Sequence, residues 1–280
     1  MLGLGSSDRQ RFADRREAGR ALAQVLKGLA LPAPTVLALP RGGVPVAAEV
    51  ARVLGAPLDL LMVRKIGAPG QPELAVAAVA ALPALTPAAA PQAGAALGAA
   101  SGQDDAAPPA HTFVDPALMA VTGADQAHVD RGVAREGAEL ERRRRHYLSG
   151  RRPISLDGRT VILVDDGIAT GTTLRAALKV LNALRGKPCT MHRAGPPAPA
   201  EHPEHPEHPE HGPGSGRPGP LAVVLAVPVA PAEVLAALAG EVDATVCLWT
   251  PAPFGAVGAH YRDFRQVSDD EVVALLAAHP

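Results

Sequence analysis

The chain has 280 residues, with 28 acidic and 27 basic side chains and a formal net charge of -1. Such a balance gives no general argument for binding nucleic acid or an anionic membrane. Aromatic residues make up only 2% of the chain, so its core must be built from Ala, Val and Leu. The length allows one large domain or two small ones.

The two cysteines, Cys189 and Cys247, form neither a CxxC pair nor a disulfide framework, which favours a reducing cytoplasm. Residues 1–5 are followed by charged residues without an apolar run of signal length. No apolar run reaches the ~20 residues that a membrane span needs. We therefore expect a cytoplasmic protein with no membrane partner.

The first predicted element is a helix near the N-terminus, where Phe12, Ala18 and Leu22 recur at helical spacing. Arg15 falls in the same stripe. We expect Arg15 and Arg16 to be solvated rather than to hold a ligand.

A short buried strand is predicted at residues 35–39, and it is followed by Arg41-Gly42-Gly43 and by a helix that ends at Gly55. The two glycines let the backbone approach a ligand closely, and a guanidinium can bind phosphate oxygens through two hydrogen bonds. A Gly-Gly turn with a surface arginine is the alternative.

The next strand is predicted at residues 58–63, with Arg64 and Lys65 at its carboxyl end. Residues 66–73 are rich in Gly and Pro, which predicts a loop able to move over a site. The alternative is a basic strand end that faces water. Residues 74–80 predict a further strand.

We expect a single domain that spans residues 1–280. Two segments of it are predicted to be flexible insertions. Residues of about 82–116 show no periodicity and few large apolar side chains. The second insertion, at about 187–220, repeats Glu-His-Pro units that contain four histidines: His202, His205, His208 and His211. Proline at every third position favours an extended chain, so we expect a linker rather than a metal site.

A long helix is predicted over residues 121–148, with four consecutive arginines at 142–145. Four successive helical residues point in four directions, and Glu136, Glu139 and Glu141 lie within pairing distance. The run therefore does not indicate nucleic-acid binding.

The most informative stretch is residues 160–174. Four apolar residues suit a strand buried in a parallel sheet, and a helical pattern begins at Leu174. Asp165-Asp166 and a loop of small and hydroxyl residues thus lie at the carboxyl end of the strand, where α/β sheets bind ligands. Two carboxylates can bind a diol, and a loop leading into a helix can bind a phosphate. A sugar phosphate meets both demands.

This stretch resembles the 5-phosphoribosyl-1-diphosphate (PRPP) motif of type I phosphoribosyltransferases. Together with residues 39–45 and 63–65, it is most similar to a bacterial group of predicted phosphoribosyltransferases. The resemblance implies that Asp165 and Asp166 hold the ribose hydroxyls, that the 169–173 loop holds the 5′-phosphate, and that the Arg41 loop holds the pyrophosphate. The implied PRPP-binding residues are Arg41, Gly42, Gly43, Arg64, Lys65, Asp165, Asp166, Ala169, Thr170, Gly171, Thr172 and Thr173.

The resemblance also implies the reaction, in which pyrophosphate at C1 of PRPP is exchanged for a nitrogen nucleophile, with a nucleobase as the expected acceptor. Asp165, Asp166, Lys65 and Arg41 are the implied catalytic residues. Mg²⁺ is the implied cofactor, next to Asp165 and Asp166 directly or through the ribose diol or water. Ala169 stands where 6-oxopurine enzymes carry an acid, so no general acid or base is identified. A PRPP-sensing or inactive binding protein is the alternative.

The remaining elements continue the alternation of strand and helix, with strands at 221–229 and 244–249 around a helix at 232–238, and a final short helix from Asp269. Residues 251–264 form a glycine-rich tail with aromatic side chains, which could stack a planar base or plug the core. We expect an α/β fold with a mainly parallel, twisted sheet, helices on both faces and a small C-terminal hood. The oligomeric state, a homodimer included, stays open.

Overall fold

The computed structural model of the chain describes residues 11–81, 111–151, 154–185 and 219–279. The N-terminal half contains α1 (Arg15–Lys27), β1 (Pro34–Ala38), α2 (Gly43–Leu54), β2 (Leu58–Leu60), β3 (Met62–Ala68), β4 (Gln71–Ala81), β5 (His111–Val114), α3 (Pro116–Thr122) and α4 (Gln126–Leu148). The C-terminal half contains β6 (Thr160–Val164), α5 (Thr172–Leu184), β7 (Ala222–Val229), α6 (Ala232–Leu238), β8 (Ala244–Trp249) and α7 (Asp269–Ala277).

Five strands form a central, wholly parallel sheet in the order β2-β1-β6-β7-β8. Every residue of β6 is buried, because helices cover both faces of the sheet. Ile162 and Val164 pack with α1 and α2 on one face, whereas Val161 and Leu163 pack with α5 on the other. The predicted α/β fold with a mainly parallel sheet and flanking helices is confirmed.

The prediction of one continuous strand at residues 58–63 is wrong, because these residues belong to two strands. Leu58–Leu60 ends the central sheet as β2, and Met62–Ala68 starts a second, antiparallel sheet in the order β3-β4-β5. An apolar run shows that a strand is buried but does not show which sheet it joins. The chain changes sheets at Leu61, in the middle of that run.

The predicted loop at residues 66–73 is instead the end of a β-hairpin between β3 and β4. Its turn is Pro69-Gly70, and Gly70 has a φ of 71°. Proline followed by a residue with positive φ is the pattern of a tight type II turn. The Pro and Gly residues therefore mark a turn between paired strands.

Two other predicted boundaries differ from the structure. The predicted insertion at 82–116 includes His111–Val114, which pairs with β4 as an edge strand. The predicted helix at 121–148 begins later, at Gln126, because α3 ends at Thr122 where Gly123 adopts a left-handed conformation, and Asp125 caps α4. Residues 82–110 and 186–218 lie outside the described residues, as does the Glu-His-Pro repeat.

The C-terminal tail forms the predicted hood beside β7 and β8. Tyr261 is buried, and Phe12, Trp249, Phe254 and Phe264 pack around it. Tyr261 stacks on Phe264 with their ring centroids 5.0 Å apart. Of the two roles considered for the aromatic tail, stacking a planar base and covering the core, these contacts match the second. No helix within the described ranges is long and apolar enough to cross a membrane.

Candidate active site at the carboxyl edge of the central sheet

Two loops leave the central sheet at the same edge, because β1 and β6 are parallel neighbours. One loop carries Arg41, Gly42 and Gly43 after β1, and the other begins with Asp165 after β6. The amide of Leu39 donates to the carbonyl of Val164 at 2.9 Å, so pairing of the two strands continues to the start of the loops. The structure thus brings together two segments that are more than 120 residues apart.

The two loops touch where the glycines lie. A Cβ atom on Gly42 would be 2.1 Å from Oδ2 of Asp166, and one on Gly43 would be 2.7 Å from the carbonyl oxygen of Val164. Any side chain at either position would displace the acidic pair or its strand. The peptide bond between Pro40 and Arg41 is cis. The Gly43 amide donates to the carbonyl of Leu39. Of the two glycine amides, that of Gly42 is therefore the candidate donor to a ligand.

The acidic pair is asymmetric. Nε of Arg15 lies 2.8 Å from Oδ2 of Asp166, and the Tyr261 hydroxyl donates to the Asp166 backbone carbonyl. Asp165 accepts through Oδ1 from the Asp166 amide at 2.8 Å. Asp166 therefore joins α1 and the hood to the loop, whereas within the described ranges no side chain donates a hydrogen bond to the Asp165 carboxylate.

The environment of the pair disfavours two full negative charges. Burial, followed by the neighbouring charge of Asp166, raises the pKa of Asp165 well above its usual value. Burial also raises the pKa of Asp166, while the hydrogen bond and charge of Arg15 oppose that rise. The site therefore suits ligands that donate hydrogen bonds or bring positive charge.

The predicted phosphate loop runs from Ala169 to the start of α5. Thr170 and Thr172 have their hydroxyl oxygens 3.2 Å apart, and Gly171 has a φ of 73°. The amide of Ile168 donates to Val229 O at 2.9 Å, which ties the loop to β7. Ala169, Thr170 and Thr173 are exposed. The first amides of α5 follow Gly171, which has no side chain to cap them, so they can face an anion.

The predicted basic residues have partners of their own. Nη1 of Arg41 lies 3.3 Å from Oδ1 of Asp269, which also accepts from the Tyr147 hydroxyl at 2.6 Å. Arg64 pairs with Glu136 of α4 at 2.8 Å. Lys65 is the next residue of the same strand, so its side chain leaves the opposite face. That face packs on α5 through Val63, in the cluster that also contains Ile168 and Leu174 beside the phosphate loop.

Two expectations about arginines change with this geometry. Arg15, expected to be solvated, is buried, because Ala18 and Leu22 share its face of α1 and are themselves buried. Arg64 is directed at α4, because residues that alternate along β3 point to opposite faces of the hairpin. The hydrophobic stripe on α1 was the signal that could have identified Arg15. The sequence showed Tyr261 in an aromatic tail and Asp269 at the start of a helix, but not that they meet the site, because they reach it only in the folded tail.

A parallel sheet with an acidic pair and a Thr-Gly-Thr-Thr loop at its carboxyl edge is the architecture of type I phosphoribosyltransferases. The chain belongs to that family, since the family model described as "Phosphoribosyl transferase domain" matches residues 12–210.

The chain is also similar to named relatives. It is 40% identical over 265 residues to "Putative phosphoribosyl transferase Rv0571c" of Mycobacterium tuberculosis, which covers 95% of this chain and 46% of that protein. The chain thus spans about half the length of the curated relatives it matches. The crystal structure of the protein TT1426 from Thermus thermophilus has a TM-score of 0.68 and 36% identity, covering 96% of this chain and 99% of that one.

Proposed function

We propose that the chain is a phosphoribosyltransferase that uses PRPP and Mg²⁺, transfers the 5-phosphoribosyl group to a nitrogen nucleophile and releases pyrophosphate. The contact between Gly42 and the Asp166 carboxylate is the observation that carries this proposal. It puts a glycine loop suited to pyrophosphate directly against an acidic pair suited to a diol. In PRPP these groups are attached to neighbouring atoms of one ring.

Each part of PRPP has a partner in this proposal. Asp165 and Asp166 accept hydrogen bonds from the ribose hydroxyls, and the 169–173 loop with the first amides of α5 binds the 5′-phosphate. The Gly42 amide and the Arg41 guanidinium bind the pyrophosphate. Lys65, on the face of β3 that packs on α5, is the second cation for the leaving group.

The chemistry needs mainly positioning and charge. Departure of pyrophosphate leaves an oxocarbenium-like sugar, which the carboxylates below the ring stabilise, while Arg41 and Lys65 stabilise the leaving group. Ala169 is exposed and brings no acid or base to the acceptor. Residue 169 therefore exchanges no proton with the acceptor, for which a nucleobase is the expected class.

The acidic pair fits a divalent cation. Asp165 and Asp166 offer oxygen ligands of the kind that Mg²⁺ prefers, and Arg15 pairs with only one of them. Within the described ranges, no three His, Cys, Asp or Glu side chains are grouped as a metal site. We infer that Asp165 and Asp166 would hold the ion, directly or through the diol or water. When bound, Mg²⁺ supplies positive charge that offsets the charge of pyrophosphate.

The test is a screen of nucleobases and other small nitrogen compounds for release of pyrophosphate from PRPP. With an accepted compound, Asp165→Asn should lower the turnover rate on the order of 10²-fold, and PRPP affinity much less. Arg142→Ala on the outer surface of α4 is the matched control and should change neither. A parallel fall in rate and affinity would exclude the charge-stabilising role. Binding of PRPP with no release by any compound would instead indicate the PRPP-sensing protein.

A further inference from the structure

Arg15 is held on three sides next to the acidic pair. Its side chain is 10% exposed, and that of its partner Asp166 is 13% exposed. Nε donates to Asp166 Oδ2 at 2.8 Å, and Nη1 donates to the backbone carbonyl of Arg265 at 2.9 Å. The guanidinium carbon lies 3.8 Å from the centroid of the Phe264 ring. These contacts fix the guanidinium, and the guanidinium in turn fixes one oxygen of Asp166.

Arg15 donates a hydrogen bond to the Asp166 carboxylate and, within the described residues, none to that of Asp165. Oδ2 of Asp166 lies against Gly42 and pairs with Arg15, so both contacts restrain the orientation of the carboxylate. We propose that Arg15 is a positioning residue of the sugar site, which aims the Asp166 carboxylate at the ribose hydroxyls. This inference rests on the proposed function.

A purely structural role would not require this arrangement. A buried ion pair adds little to stability compared with apolar residues of similar size, and Tyr261 and Phe264 already supply an apolar setting there. A guanidinium differs from an apolar side chain in its rigid donors, which set the direction of a carboxylate. Without Arg15, Asp166 could turn and would lie beside Asp165 with no cation on it. Recognition of the diol should then suffer more than binding of the phosphate.

The experiment measures discrimination between two sugars that differ in one hydroxyl. Calorimetric titration gives the Kd of each sugar phosphate. The quantity compared between variants is the ratio of the Kd of 2-deoxyribose 5-phosphate to the Kd of ribose 5-phosphate. For the wild type we expect a ratio of about tenfold or more, as for loss of one hydrogen bond to a charged group. Arg15→Met should reduce the ratio to below about threefold, and Arg15→Lys should restore part of it. Arg16→Met, which changes the exposed neighbour on α1, should leave the ratio unchanged.

The outcomes separate this inference from the proposed function. A wild type that binds both sugars equally, or neither, would overturn the diol site and with it both proposals. A wild type that discriminates while Arg15→Met weakens both sugars in parallel would overturn the role of Arg15 alone.

If Arg15→Met does not fold, the double variant Arg15→Met with Asp166→Asn is measured instead. It removes both buried charges and so leaves neither one without its partner. Its ratio should equal that of Asp166→Asn alone, because Arg15 acts through Asp166. A further loss in the double variant would overturn the inference.

Discussion

At the residue scale, Arg41 has one partner in the structure, Asp269, and a second, pyrophosphate, in the proposed function. The structure pairs it with Asp269, whose pKa is lowered mainly by the Tyr147 hydroxyl, with Arg41 contributing. In the proposed function, pyrophosphate has to displace this carboxylate before it can bind the Arg41 guanidinium. Because partly exposed ion pairs contribute up to about 1 kcal/mol, Asp269→Asn should tighten binding of pyrophosphate with Mg²⁺ by roughly two- to fivefold. The measurement is a calorimetric titration.

Asp270→Asn is the matched control for this prediction, because Asp270 is the exposed neighbour on α7. It changes the net charge equally and should leave the affinity unchanged. An equal gain in both variants would show a general charge effect. No gain in Asp269→Asn would show that Arg41 does not bind the pyrophosphate.

The buried carboxyl group of Asp59 makes the stability of the fold depend on pH. It is buried in β2, and burial raises its pKa to about 6 against the opposing effects of the Leu60 amide and Arg151. The folded state therefore holds the Asp59 proton more tightly than the unfolded chain does. The contribution of this bound proton to the free energy of unfolding is full below about pH 4, and it is lost as the pH rises through about 6. Asp59→Asn should raise the free energy of unfolding at pH 8 by up to about 3 kcal/mol, and by much less at pH 4.

Urea unfolding at the two pH values measures this effect, with Asp157→Asn at an exposed position as the control. A gain of equal size at both pH values would contradict the account, because an effect independent of pH cannot come from the Asp59 proton.

At the residue scale, the sequence identified the groups that are adjacent along the chain. Asp165, Asp166 and the threonines follow a buried strand, so their position at its carboxyl end follows from local pattern alone. The partners of these groups could not be predicted in the same way. Arg15 and Asp269 reach the site from opposite ends of the chain, and the composition of a helix does not show which loop it covers.

At the element scale, α1 lies close enough to α2 to bring Arg15 to the acidic pair. Gly19 makes this approach possible, because a Cβ atom there would be 2.6 Å from the carbonyl oxygen of Val46. Gly19→Ala should lower the free energy of unfolding by about 1–3 kcal/mol, the usual cost of overpacking. It should also weaken binding of ribose 5-phosphate, since α1 must move.

Gly137→Ala provides the comparison for Gly19→Ala. Gly137 lies within α4, and a Cβ atom there would have no other atom within 4 Å. The substitution should raise the free energy of unfolding by about 0.5–1 kcal/mol, because alanine is favoured over glycine in a helix. Thermal or urea unfolding checks both variants. A Gly19→Ala protein as stable as the wild type would show that the two helices can separate at little cost.

The elements themselves were predictable where the hydrophobic pattern was regular. The strands of the central sheet, α2 with its stop at Gly55, and α5 follow from apolar runs and helical spacing. Of the second sheet, the sequence predicted β4 as a strand at residues 74–80 but not its partner β5, which comes after a long stretch without periodicity. Strand pairing between such segments is decided by tertiary contacts that no local pattern records.

At the scale of the whole molecule, the fold turns two distant loops into one site. Parallel pairing of β1 with β6 sets their carboxyl ends side by side, and the two glycines let the loops touch. Helix α1, the hood and α7 then supply Arg15, Tyr261 and Asp269 around that edge. A single ligand that carries both a diol and a pyrophosphate would contact both loops at once.

The most direct test of the central claim is titration of the wild-type protein with PRPP in the presence and absence of Mg²⁺. We predict saturable binding with Mg²⁺ and little or none without it, because Arg41 and Lys65 alone cannot offset the charge of the pyrophosphate. Asp165→Asn, measured in the same way, should still bind with somewhat lower affinity. No binding of PRPP under either condition, or equal affinity with and without the metal, would contradict the account.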